Sequence, residues 1–296
     1  MTSSILVLGF NGNLGSRLIA SQYKNYKFIT RQEIEKHLGQ LKLSITNFSQ
    51  LENLLDFFHP DVVINCAAIS NVEYCEVNPE HCKLVNMVAP TVIAKLTEKR
   101  GVKFIHISTD HFMTKEVNLR DEYCTYYATN IYGYSKLNAD LQITENSKNA
   151  LIIRTNFFGY GSNNLFKWAI DKINANVVLD GFIDISFNPV SIDFLCHAIE
   201  LLLEFDASGI FNVTSDEVIT KYSFLSMVTR AYSRKEIVIN KVRSPDKEFN
   251  ALRPRDMALS NKKFKVTTKS AIPDIADMIQ HEIATIQRGK NGVIGK

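Results

Sequence analysis

The chain opens on Ile5-Leu6-Val7-Leu8, four consecutive apolar residues without polar alternation, the pattern of a strand buried on both faces of a parallel sheet. Short runs of the same kind recur at 26–29, 41–45, 62–65, 103–107, 150–154 and 210–213. Between them the apolar residues fall at helical spacing. Leu14, Leu18 and Ile19 make one such face, and Phe48, Leu51, Leu54, Leu55 and Phe58 another, closed by His59-Pro60; a longer helix is expected over 79–100. This alternation predicts an α/β fold, a Rossmann-type doubly wound parallel sheet. Beyond Gly159 the rhythm becomes irregular: an extended piece at 184–189, an apolar helix over 192–203, and another around 222–232. Ile275, Met278, Ile279, Ile283 and Ile286 form a closing amphipathic helix, with a frayed tail expected after it.

The loop after the first run carries the first chemistry. Gly9-Phe10-Asn11-Gly12-Asn13-Leu14-Gly15 stands between a strand and a helix. A dinucleotide site needs that order, because small residues permit close approach to pyrophosphate and a helix N-terminus offers free N–H groups. Its G-x-x-G-x-x-G spacing is one residue wider than the standard fingerprint. Asn11, Asn13 and Leu14 join the three glycines as candidate cofactor contacts. Arg31 follows the second run, where an acidic residue would hold a ribose 2′-hydroxyl and a basic one accepts a 2′-phosphate. It favours NADP(H) and leaves NAD(H) open, with Arg17 as a second basic candidate. Cys66-Ala67-Ala68, small residues after the 62–65 run, would let a flat cofactor pass the backbone; tight packing is the competing explanation. Residues 1–160 are therefore expected to form an NAD(P)-binding Rossmann domain. Residues 161–296 are expected to be mainly a smaller, substrate-binding lobe, with some segments returning to the first domain.

Ser108-Thr109-Asp110-His111 follows the 103–107 run, at the carboxyl edge where open α/β sheets place chemistry. Tyr132-Gly133-Tyr134-Ser135-Lys136 comes next, and on a helix its phenol and ammonium share one face. A free tyrosine titrates near ~10, and a neighbouring cation lowers that value. The pair is a candidate proton donor with its tuner. Asn86, inside an apolar helix face, needs partners there, either to brace an active site or to cap a neighbour. Arg253-Pro254-Arg255-Asp256 is a compact charged turn able to face a phosphate, a plain surface turn being the alternative.

Composition narrows the partners. A chain of 296 residues with 45% hydrophobic content buries a full core, and its net charge of +3 comes from scattered Lys and Arg without a basic run. Nucleic acid is not an expected partner. No apolar run approaches the ~20 residues of a membrane span, and Met1-Thr2-Ser3-Ser4 leads straight into a strand without a basic leader, so a cytoplasmic location is expected. The five cysteines, Cys66, Cys75, Cys82, Cys124 and Cys196, include no C-x-x-C pair and read as reduced thiols. His37, His59, His81, His106, His111, His197 and His281 show no metal-ligand spacing, so no metal is expected; all but His111 read as structural or surface residues.

The ordered set G-F-N-G-N-L-G, N-C-A-A, S-T-D, Y-x-x-x-K and R-T-N-F-F-G resembles the extended short-chain dehydrogenase/reductase family. Within it the chain is most similar to the dTDP-4-dehydrorhamnose reductases, which share S-T-D, a tyrosine-glycine before the lysine, and an arginine-proline pair followed by leucine-serine, here Arg253-Pro254 and Leu259-Ser260. The resemblance implies an NAD(P)H-dependent reductase of a nucleotide-activated 4-keto-6-deoxysugar. Thr109 would hydrogen-bond the substrate carbonyl, Tyr132 would deliver the proton, and Lys136 would hold the cofactor ribose. Asp110, Asn156 and Phe157 would sit against the sugar, with Arg253 also on the substrate side. A nucleotide sugar is the implied partner, and a homodimer is compatible with the family. His111-Phe112-Met113, Ala128 and Ser44 depart from the family pattern near the sugar, before the tyrosine and at the adenine side. Two alternatives stay open at this point: a nucleotide-sugar epimerase or dehydratase with bound NAD, and a non-catalytic regulatory subunit like the methionine adenosyltransferase β subunit.

Overall fold

The last four residues of β1 (Ser3–Leu8) are buried, and their side chains alternate between two layers. Ile5 and Val7 join one apolar cluster, Leu6 and Leu8 the other. A strand read as apolar throughout is thus one with a packed layer on each face. This computed structural model describes residues 2–21, 23–39, 43–115, 120–161, 164–233, 237–246 and 249–292. Among them the main sheet holds β1 with β2 (Tyr26–Phe28), β3 (Val62–Asn65), β4 (Lys103–Ile107), β5 (Leu151–Arg154) and β6 (Gly209–Asn212). Every pairing is parallel, and the order is β6-β5-β4-β3-β1-β2. The chain leaves β1 for β2 on one side and returns to β3 on the other, so the topology switches direction beside the carboxyl end of β1. Open α/β sheets bind ligands in that crevice.

The helices follow as α1 (Asn13–Ala20), α2 (Arg31–His37), α3 (Phe48–Phe58), α4 (Val72–Val77), α5 (Pro79–Lys83), α6 (Ala89–Glu98) and α7 (Ile131–Asn146), then α8 (Leu165–Asn174), α9 (Ile192–Glu204), α10 (Lys221–Tyr232), α11 (Lys262–Thr268) and α12 (Ile275–Gly292). Apolar residues of α3, α6 and α7 cover one sheet face. Those of α1, α8, α9, α10 and α12 share a single cluster with the other face. Three two-stranded ladders shape the second half, pairing 157–158 with 190–191, 179–182 with 239–242, and 186–187 with 219–220.

Two expectations change. Of the strand expected at 41–45, Leu41 and Lys42 lie outside the described residues, and 43–45 form no strand. The Ser44 amide donates to Gln50 and its carbonyl accepts from Asn47, so local turn bonds replace a sheet ladder on the way into α3. The helix expected over 79–100 contains a π turn at Leu84–Val88. Asn86 sits in that turn, and its amide grips both backbone groups of Ile69, bracing the loop after β3. At the other end of the chain, α12 stays helical to Gly292, and the remainder of the tail lies outside the described residues.

One buried ion pair ties α7 to the sheet. Arg154 Nε, at the end of β5, donates to Asp140 Oδ2 at 2.8 Å, with both side chains buried. The guanidinium also lies 4.8 Å from the centre of the Tyr126 ring and 5.3 Å from that of Phe112. Asp140→Ala strands a buried cation, and chemical denaturation should show a loss of about 3–5 kcal/mol; a loss under about 1 kcal/mol would show that the pair does not hold the helix.

Candidate active site

Gly9 follows β1 with φ +84°, and a Cβ there would come within 2.7 Å of the Ala67 amide nitrogen. Only glycine lets the two loops at the ends of β1 and β3 approach this closely. Beside them lies a cavity of about 260 Å³ lined by Gly9, Phe10, Asn11, Leu43, Ser44, Ile45 and Ala67. The cradle fits a dinucleotide: Gly12 caps α1 without a side chain, and Asn13, Leu14 and Gly15 open the helix, whose first amides have no intrahelical acceptor. Leu14 turns its side chain into the core, so only its backbone is available to a ligand. Cys66 and Ala67 are half-buried on the opposite wall, and Ala68 is exposed. Arg31, the first residue of α2, donates from one guanidinium nitrogen to Asn11 Oδ1 at 3.3 Å and from Nε to Glu35 at 2.6 Å. It therefore stands over the glycine loop. Arg17 does not, since Asp193 at 3.2 Å and Glu282 at 3.4 Å engage it.

The first turn of α7 packs on the loop after β4. Asn130 caps it by accepting the Gly133 amide at 2.8 Å. A Cβ on Gly133 would meet the His111 carbonyl oxygen at 2.6 Å, which explains the glycine after the tyrosine. The Thr109 hydroxyl accepts the His111 amide at 3.2 Å and lies close enough to the Tyr132 phenol to bear on its titration. The His111 ring stands edge-on to Tyr132, with centroids 5.5 Å apart. Burial pushes the phenol well above its ordinary range, so Tyr132 carries its proton. The expected tuning by Lys136 is not seen in this conformation. Its Nζ lies 2.9 Å from His106 Nε2 and donates to the Ile107 carbonyl at 2.7 Å, and burial pulls its pKa down to about 8.

Next to Thr109, the buried Asp110 accepts from Asn156 Nδ2 at 2.8 Å. Phe157 is half-buried at the start of the strand that follows. Arg253 Nη2 pairs with Glu73 at 3.1 Å, and its guanidinium lies 4.4 Å from the centre of the Phe249 ring. Two of these neighbours were not singled out from the sequence. Lys221, the first residue of α10, places its ammonium 3.2 Å from the centre of the Phe187 ring, and its charge bears on Asp110 and His111. Glu73, on α4, holds Arg253. Each is an ordinary charge in an unremarkable helix, and no spacing rule links it to S-T-D. Burial, together with the nearby Lys221 and Arg253 charges, lowers His111 to about 3, so its imidazole is neutral at physiological pH.

A sequence model of the family described as the RmlD substrate binding domain matches residues 2–288. The chain belongs to this family. Among curated relatives, the "Probable low-salt glycan biosynthesis reductase Agl14" of Haloferax volcanii is 28% identical over 86% of this chain and 88% of its own length. The dTDP-4-dehydrorhamnose reductase of Escherichia coli K12 is 27% identical over 73% of this chain and 76% of its own. Among solved structures, a dTDP-4-dehydrorhamnose reductase ortholog of Clostridium acetobutylicum superposes with a TM-score of 0.87 at 25% identity, covering 96% of this chain and 99% of that one. The NADP complex of the Bacillus anthracis reductase shares the fold, with a TM-score of 0.88 at 22% identity and coverage of 96% and 100%. The doubly wound Rossmann architecture expected from the apolar runs is the one these relatives share.

Asp110 gives the site a pH signature. Burial raises its carboxyl to about 6, against the opposing pull of Lys221 and the Asn156 hydrogen bond. With the folded pKa above the unfolded one, the native state binds this proton more tightly. The associated stability is full below about pH 4 and is lost as pH rises through the folded value. Asp110→Asn lacks that loss. In urea unfolding the variant should gain on the natural chain by on the order of 1–3 kcal/mol between about pH 4.5 and about pH 7.5, and a difference independent of pH would contradict the assignment.

Proposed function

We propose that this chain is an NAD(P)H-dependent reductase of a nucleotide-activated 4-keto-6-deoxysugar, preferring NADP(H) and accepting NAD(H). The observation that carries the reading is the meeting of the Ser108-Thr109-Asp110-His111 loop, at the carboxyl edge of the sheet, with Tyr132 on α7, where the His111 ring packs against the phenol one helical turn from Lys136. Residues 1–160 form the cofactor unit in this reading. Residues 161–296 form mainly the substrate lobe, with β6 returning to the main sheet.

When bound, a reduced nicotinamide supplies the hydride. Gly9, Asn11, Gly12, Asn13, Gly15 and the Leu14 backbone hold the pyrophosphate side, with Cys66, Ala67 and Ala68 along the opposite wall. Arg31, already against Asn11, takes the 2′-phosphate. Thr109 donates to the sugar carbonyl oxygen and aligns it, and Tyr132, half-buried and kept protonated by desolvation, gives that oxygen its proton. Lys136 holds the ribose hydroxyls. Asp110, Asn156, Phe157 and Arg253 receive the sugar and its phosphates. Desolvation of the phenol keeps the proton on the acid until the alkoxide develops. The reading also places the protein in the cytoplasm, with a nucleotide sugar as its partner and a second copy of the chain as a compatible one. No helix among the described residues is long and apolar enough to cross a membrane.

Steady-state kinetics on a panel of dTDP-, CDP- and GDP-linked 4-keto-6-deoxysugars tests this. Tyr132→Phe should lower turnover by about 10² to 10⁴ while cofactor affinity barely changes; full activity in the variant would move the proton source elsewhere. Arg31→Ala should weaken NADPH by about tenfold or more and leave NADH nearly unaffected. Equal losses for both would remove Arg31 from the 2′-phosphate site.

A further inference from the structure

Asn65, the last residue of β3, stands beside His106 of β4 in the sheet register, and both are 1% exposed. Asn65 Oδ1 accepts the Ala67 backbone N–H at 3.1 Å. That bond fixes the amide and turns its Nδ2 toward His106 Nδ1, 3.2 Å away. An amide nitrogen only donates, so Nδ1 must accept, and a neutral imidazole then carries its proton on Nε2. Nε2 lies 2.9 Å from Lys136 Nζ. An ammonium has no lone pair for that proton; an uncharged amine has one, and still gives a hydrogen to the Ile107 carbonyl at 2.7 Å.

We propose that Asn65 and His106 are positioning residues for Lys136, a relay that sets the imidazole tautomer and thereby holds the lysine as an uncharged amine in the conformation seen here. Charging the lysine with a proton from solvent obliges the imidazole to move its own proton to Nδ1. The Asn65 amide must then turn over, which releases the Ala67 N–H on the wall of the cofactor cavity. The charge of Lys136 is in this way tied to the shape of the cofactor loop.

The surroundings agree. Burial holds His106 well below its ordinary pKa, so the imidazole is neutral. Burial already pulls Lys136 down to about 8, and a donor aimed at its lone pair acts in the same direction. Asp140 on the same helix, Cys66 after β3 and Cys82 on α5 favour the charged form. Asp140 is engaged by Arg154, and the Tyr132 phenol one turn away is neutral. Of the groups facing the amine, His106 is the one that donates to it. The inference rests on the reductase reading only for what the lysine then does for the cofactor; the tautomer itself is independent of it.

The test is nitrogen-15 NMR of the histidine rings together with carbon-13 NMR of lysine Cε, on the full chain at about pH 7.5. His106 is expected to be neutral with its proton on Nε2, and Lys136 uncharged. His106→Gln, which offers the lysine an acceptor free of any tautomer, should raise the Lys136 titration by about one pH unit or more. A wild-type proton on Nδ1, a charged Lys136 at that pH, or an unmoved titration in the variant would overturn the proposal. The wild-type spectrum decides even where the variant fails to fold. An active reductase can fail this test and an inactive chain can pass it, so the two readings are separately falsifiable.

Discussion

The buried pair between Arg154 and Asp140 fixes where the chemistry can happen. A buried ion pair contributes little net stability, because desolvating two charges offsets their attraction, yet breaking one leaves an uncompensated charge in the core. Such a pair acts as a positional lock. Here it joins the end of a central strand to the middle of α7, four residues beyond Lys136 and two turns beyond Tyr132. At the other end of the helix the Asn130 cap and the contact of Gly133 with the His111 carbonyl set the approach to the S-T-D loop. Between these anchors the phenol, the threonine hydroxyl and the lysine have little freedom to be anywhere else.

The same burial dictates the electrostatics of the crevice. Desolvation moves each group toward its uncharged form: Tyr132 and Asp110 upward, Lys136, His106, His111 and Lys221 downward. A site of this kind holds protons on groups that can give them, in surroundings where any charge that develops is felt strongly. In the proposed reading, the guanidinium groups of Arg31 and Arg253 suit a ligand that brings phosphates at both ends.

The fold was legible because strands buried on both faces leave an uninterrupted apolar signature, and the glycine loop and the Tyr132–Lys136 spacing were legible because their geometry is local. Of the strand expected at 41–45, the described residues 43–45 misled because an apolar-rich stretch reads as a strand whether its backbone joins a ladder or, as at Ser44, closes on Asn47 and Gln50. Lys221 and Glu73 were invisible because partnership across more than a hundred residues is a tertiary fact. His106 read as a structural residue. Only the register that seats it between Asn65 and Lys136 shows what it touches, and only the geometry of Lys136 shows the phenol without its expected cation.

Isotope transfer tests the central claim most directly. The purified chain would be given NADPH deuterated at the transferring position and a dTDP-linked 4-keto-6-deoxysugar, and the product read by mass spectrometry and NMR. The account predicts one deuterium at sugar C4 for each NADPH consumed, with the new hydroxyl proton drawn from solvent. Sugar turnover without deuterium at C4, or with no NADPH consumed, would contradict it and point to chemistry that recycles a resident cofactor.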